Sequence, residues 1–299
     1  MVAETFHNLH IGDTLPMLRR LPDESVHCCV TSPPYWGLRD YDTESTVWEN
    51  EVTKCSQHEW VISKTVSQGG GGSAKQRSNV APTFDTMEQS TCSICGAWRG
   101  SLGLEPTPKL FVQHLVEIFR EVKRVLRDDG TCWLNLGDSY SGDKTGGRND
   151  TDRKYPGNPD GLRSGAKLNI QSGLKPKDLV GIPWRVAFAL QEDGWYLRSD
   201  IIWHKPNAMP ESVTDRPTKS HEYIFLLTKK PTYYYDIDAI REPYSPDGRQ
   251  ATTIPVGEMG HPNHKGRNGH ERWANSGRNK RTVWTMPTQP FPDAHSAIP

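Results

Sequence analysis

The stretch "VTSPPYWGLRDY", residues 30–41, decides the reading of this chain. It closes "SVHCCVTS" (25–32), an apolar and thiol-rich run read as a buried strand. Two successive prolines cannot continue a strand or a helix, so the chain turns at Pro33-Pro34. A strand followed by a polar loop places that loop at the carboxyl edge of an α/β sheet, where ligands of open sheets bind. Pro33 and Pro34 offer carbonyls without N–H donors, and Ser32 adds a hydroxyl. Tyr35 and Trp36 add flat aromatic faces. This acceptor-rich corner suits a planar ring with an exocyclic amino group: the amine donates to the oxygens while the ring stacks on an aromatic.

Working outward, "LHIGD" (9–13) reads as a short strand, and Leu15, Leu18 and Leu21 follow at helical spacing. Thr107-Pro108 is a helix start, a cap residue before a proline in the first turn. Phe111, Leu115, Ile118, Phe119, Val122, Val125 and Leu126 then form one apolar stripe, with Asp129-Gly130 as the expected stop. "TCWLNLGDSY" (131–140) is the next strand and "DLVGIPWRVAFALQEDGW" (178–195) a helix. "YLRSDIIWHKP" (196–206) and "EYIFLLTKKPTYYYD" (222–236) are strands, and "RTVWTMP" (281–287) holds a last short one. Strands alternating with helices specify an α/β sheet.

Composition bounds the function. The 299 residues carry 36 basic and 36 acidic side chains, so whole-chain charge selects no partner. With 34% hydrophobic residues, 26 glycines and 23 prolines, a modest core with long loops is expected. No run approaches the roughly 20 apolar residues of a membrane span, and the N-terminus lacks a signal-peptide pattern. A cytoplasmic location is the default expectation. In that reducing setting the six cysteines point to metal ligands or buried thiols.

Residues 43–105 interrupt the pattern as a polar insert containing Gly69 to Gly72 and three cysteines. Cys55 and His58 form one C-x2-H pair, and Cys92 and Cys95 one C-x2-C pair followed by glycine. Four such ligands fit a closed, tetrahedral, structural zinc site. Cys28, Cys29 and Cys132 fall in strands and read as core thiols.

"TSPPYW" (31–36), preceded by "GDTLPMLRRLPDESV" (12–26), resembles the catalytic motif of amino-group DNA methyltransferases that use S-adenosylmethionine. Residues 104–140, "GWYLRSDIIWHKPNAMPES" (194–212), "RPTKSHEYIFLLTKK" (216–230) and "FPDAHSAIP" (291–299) resemble further segments of that family, in the order of its beta-type permutation. The resemblance implies a Rossmann-like methyltransferase α/β sheet with a small zinc-binding insert. It divides the chain into catalytic parts at 1–42 and 106–240, the insert at 43–105, a target-recognition region at 241–282 and a cofactor-pocket segment at 283–299. It also implies methyl transfer at the corner Ser32, Pro33, Pro34 and Tyr35. A base in double-stranded DNA is flipped out, and Tyr35 or Trp36 stacks on it. Serine at the first motif position resembles N4-cytosine enzymes, with N6-adenine kept open. A cognate restriction enzyme is an expected partner.

On the cofactor side, the resemblance points to Asp13, Thr31, His295 and Ala297. The family's glycine-rich loop, Asp-Pro-Phe-x-Gly-x-Gly, follows the "AHSAIP" segment in the beta-type order, and this sequence stops at Pro299. Truncation before that loop, with weak or no cofactor binding by these residues alone, is the expectation. For DNA, residues 264–281 hold six Lys or Arg against one Glu, which suits phosphate contact. Lys265, Arg267, Arg272 and Arg278 are the candidates there. Lys205 and Asn207, after a strand end, are candidates for the DNA-side rim. Two rival readings are methylation of RNA or a protein glutamine, and a zinc-stapled DNA-binding protein without catalysis.

Overall fold

A computed structural model describes residues 9–37, 45–49, 55–67, 86–141, 173–242 and 278–288. Its centre is a five-stranded sheet in which β1 (Val26–Thr31) runs parallel to β6 (Leu126–Leu136). The order continues through β8 (His221–Thr228) and β7 (Tyr196–His204) to β9 (Val283–Thr285). The β6–β8 and β8–β7 pairs are antiparallel, whereas β9 joins β7 in parallel. The mixed α/β class therefore follows the alternation seen in the sequence.

Helix α2 (Pro108–Val125) begins as its sequence specifies: the Thr107 side chain accepts from the Leu110 N–H at 3.2 Å, and Pro108 occupies the first turn. Its stripe Phe111, Leu115, Ile118, Phe119, Val122 and Val125 is buried. Together with α3 (Ile182–Glu192), it joins a core containing Cys132, Leu134, Leu136, Phe225 and Leu227. These five alternate along β6 and β8, so one sheet face takes the helices. The side chains between them, such as Trp133 and Asn135, lie on the opposite face.

Several expected boundaries shift. Residues 9–13 form no strand, and Leu9 and Ile11 stay exposed, while α1 spans Thr14–Arg19. Helix α2 passes directly into β6 because Leu126 is already extended, so Asp129-Gly130 lies inside a strand rather than in a stop. β8 ends at Thr228, and residues 229–236 do not extend it. Cys132 is buried and Cys29 half-buried, but Cys28 is exposed because it sits on the outward side of β1.

The insert, expected as a polar stretch without strands, forms a sheet of its own. It is a four-stranded antiparallel sheet of β2 (Thr46–Trp48), β5 (Trp98–Gly100), β4 (Thr86–Cys92) and β3 (Trp60–Ser67), in that order. Trp48 and Trp98 pair across β2 and β5, and both enter the main core.

Candidate active site and metal site

Ser32, the first residue after β1, is exposed, while Tyr35 is half-buried behind it. The strand ends here because Pro33 and Pro34 cannot donate to a ladder. Behind the corner lies a hydrogen-bonded network that reaches three strands. Ser32 Oγ is 3.3 Å from both the Tyr35 hydroxyl and Asn135 Oδ1. The Tyr35 hydroxyl is 2.8 Å from Asn135 Oδ1 and 2.7 Å from Glu222 Oε2. Asn135 Nδ2 donates to the Tyr223 carbonyl at 3.1 Å, which turns its oxygen toward Tyr35. Glu222 in turn forms an ion pair with Lys205, whose ammonium lies 4.3 Å from the centre of the Trp203 ring.

The charge at the end of this chain sets its polarity. Burial pushes the Glu222 carboxyl up, but hydrogen bonds from Lys205 and Tyr35 hold it below the ordinary glutamate range. An ionised carboxylate only accepts, so it draws the phenolic proton inward. Ser32 can then point its own proton at Tyr35 or Asn135. With that proton turned inward, the exposed oxygen is left to accept. Gly137, just after β6, leaves room for the Tyr35 ring, since a Cβ there would lie 2.4 Å from Tyr35 Cε2.

The other candidates are placed differently. Trp36 is 4% exposed and its indole N–H donates to the Glu105 carbonyl at 3.0 Å, so it is a core side chain with no free face for a base. Lys205 belongs to the Glu222 pair. Asn207 binds Thr288 through both ends of its amide, with Nδ2 to the Thr288 carbonyl at 2.7 Å and Oδ1 from its N–H at 2.9 Å. Arg278 is ion-paired with Glu242 at 3.2 Å. Asn207 and Arg278 thus each meet a partner within the fold that the sequence did not reveal. Thr31 ends β1 opposite Leu134. Asp13 precedes α1 without capping it, and its carboxylate meets the Thr46 hydroxyl at 3.5 Å. His295, Ala297, Lys265, Arg267, Arg272 and the Gly69 to Gly72 run lie outside the described residues.

Asn135 and Glu222 were missed by reading the sequence. The signal was present as a carboxylate at the start of an apolar strand, "HEYIFLLT" (221–228), and an amide inside "CWLNL" (132–136). Such groups need buried partners.

In the insert, the ligand atoms of Cys55, His58, Cys92 and Cys95 all lie within 4.8 Å of one another. Cys55 Sγ is 3.2 Å from His58 Nδ1 and 3.7 Å from Cys92 Sγ, and Cys95 Sγ is 3.5 Å from His58 Nδ1. A tetrahedral zinc with bonds of about 2.0–2.3 Å separates its ligand atoms by about 3.5–3.8 Å, so these residues fit that ion. His58 Nε2 is 2.8 Å from Glu49 Oε1, the kind of carboxylate partner that orients a metal-binding imidazole. Gly96, with φ of +75°, makes the turn after Cys95.

Residues 26–297 match the model of a family described as DNA methylase. The chain is 42% identical over 286 residues to the type II methyltransferase M.Cfr9I of Citrobacter freundii, covering 96% of this chain and 66% of that protein. It is 39% identical over 290 residues to M.SmaI of Serratia marcescens, covering 96% and 69%. Among solved structures, the cytosine-N4-specific PvuII DNA methyltransferase overlays with a TM-score of 0.43 and 13% identity, over 94% of this chain and 57% of that one. The chain spans about two thirds of the length of these two relatives. The corner at residues 31–36 falls within the matched segment, and the chain belongs to the DNA methylase family.

Proposed function

We propose that the protein carrying this chain transfers a methyl group to an exocyclic amino nitrogen of a base in double-stranded DNA. The favoured target is N4 of a flipped-out cytosine. The observation that carries this reading is the polarity of the network Ser32–Tyr35–Asn135–Glu222, which leaves an acceptor oxygen exposed at the sheet edge. An exocyclic amine is a poor nucleophile because its lone pair is delocalised into the ring. Ser32 Oγ and the carbonyls at Pro33 and Pro34 accept its hydrogens and favour a pyramidal, localised nitrogen. S-adenosylmethionine, when bound, would supply the electrophilic methyl, its sulfonium–methyl bond breaking to leave the neutral thioether, and Asp13, Thr31, His295 and Ala297 are proposed to line its site. The nitrogen gains positive charge as the new bond forms, and the same acceptors stabilise that charge in place. Its surplus proton leaves to solvent or through Ser32. Tyr35, rather than Trp36, remains the candidate to stack on the base.

Zinc held by Cys55, His58, Cys92 and Cys95 has a structural part here, because four protein ligands leave no open position. Lys265, Arg267 and Arg272 are proposed to contact phosphates. The relatives' type II names favour a partner restriction enzyme with the same target sequence.

Tritiated methyl transfer to DNA by the full-length protein tests the reaction. Ser32→Ala is expected to lower the rate by about 100-fold or more, as removal of one transition-state hydrogen bond does elsewhere. Mass spectrometry of the digested DNA should show N4-methylcytosine. N6-methyladenine instead would move the target to adenine, and absence of any methylated base would end the catalytic reading.

A further inference from the structure

The catalytic corner is braced by a buried acid–imidazole pair that the chemistry does not use. Glu105 is fully buried and His114 is 5% exposed. Glu105 Oε1 accepts from His114 Nδ1 at 2.9 Å, and Oε2 accepts from the Gly103 N–H at 2.9 Å. Its backbone carbonyl takes the Trp36 indole N–H. The loop it holds touches the corner directly: Gly37 N–H donates to the Gly103 carbonyl at 2.8 Å. Gly103, at φ of +94°, sits so close that a Cβ would lie 3.1 Å from Pro34 Cβ. A carboxylate in a core is costly, and an apolar side chain would fill this space more cheaply. Its atoms are instead committed to fixing residues 34–37.

The other side of the pair faces the insert. The His114 ring stacks on Trp48 at 4.2 Å and 15°, and on Trp98 at 5.4 Å and 24°. Trp48 adjoins Glu49, the residue behind His58 of the metal site. We propose that Glu105 and His114 are positioning residues through which the insert sheet holds the Ser-Pro-Pro-Tyr corner in its reactive geometry. This rests on the reading of that corner as the site of methyl transfer.

Amide and indole hydrogen exchange tests it. In His114→Phe, which keeps the stack but loses the hydrogen bond, and in Glu105→Gln, protection of the Gly37 amide and the Trp36 indole should fall about tenfold, the worth of one hydrogen bond. The amides of Leu134 and Leu227, inside the sheet, should not change. Trp48→Leu, in the insert rather than in the pair, should loosen Gly37 in the same way and covers the case of a pair variant that does not fold. Unchanged Gly37 protection, or an equal loss at Leu134 and Leu227, would overturn the proposal. Methyl transfer by the same proteins keeps the readings apart. A fall in kcat at unchanged KM for DNA supports positioning. Absence of transfer by the full-length wild type would end the methyltransferase reading and leave the exchange result to judge the pair.

Discussion

In the proposed reaction Ser32 accepts only if its own proton is taken from behind, by Tyr35 or Asn135, and the chain through Tyr35 ends on Glu222. Its side chain is 17% exposed and that of Lys205 19%, so their attraction is little screened by water. Because its folded pKa is lowered, the ionised carboxylate stabilises the fold above the ordinary glutamate pKa of about 4.3. That contribution is lost as pH falls through the lowered folded value. Glu222→Gln should therefore cost about 1–3 kcal/mol at pH 7, with the gap to wild type closing in acid below about pH 4. Denaturant melts of both proteins at several pH values check this. A constant gap across the acid range would show that the carboxylate is not held ionised. Methyl transfer should also fall in this variant, because glutamine presents an amide that can donate toward Tyr35 and reverse the polarity at Ser32.

At the scale of elements, a second carboxylate organises the edge where the corner stands. Asp138, two residues beyond β6, accepts at Oδ1 from the Gly181 and Ile182 N–H groups at 2.9 and 3.0 Å, and from Ser139. It thereby caps α3 from the end of a distant strand, since Gly181 at the helix N-cap has no side chain to do so. Asp138→Ala should destabilise the protein by about 1–2 kcal/mol, read as a lower melting midpoint. Asp138→Asn, which keeps one acceptor oxygen, should recover part of it. This cap could not be read from the sequence, because 43 residues separate the aspartate from its helix. What could be read were the local signals. Thr107-Pro108 and the apolar stripe gave α2, and Pro33-Pro34 gave the end of β1. The passage from α2 straight into β6 was hidden by Asp129-Gly130, a stop signal overruled by the pairing of Val26 with Leu126.

For the molecule as a whole, the question is whether the insert is a passenger. Its Cys/His cluster was legible because the spacing is local, as C-x2-H and C-x2-C. Its attachment was not, because Trp48, Trp98 and His114 come from three elements and meet only in the fold. A staple confined to a polar loop would melt by itself. Here Trp48 and Trp98 belong to the same buried cluster as Phe111 and Leu115, so losing the insert sheet opens the main core. A metal that binds only the folded state stabilises by about 4 kcal/mol at a thousandfold excess over its dissociation constant. Cys92→Ser, or a strong chelator, should then lower the main calorimetric transition by several degrees and leave it single. A separate early transition with the main one unmoved would show an independent insert, and an unchanged trace in chelator would show that no metal was held. The first result would tie a bound metal to the stability of the sheet whose edge carries Ser32, and would make the insert part of the scaffold behind that corner rather than an appendage to it.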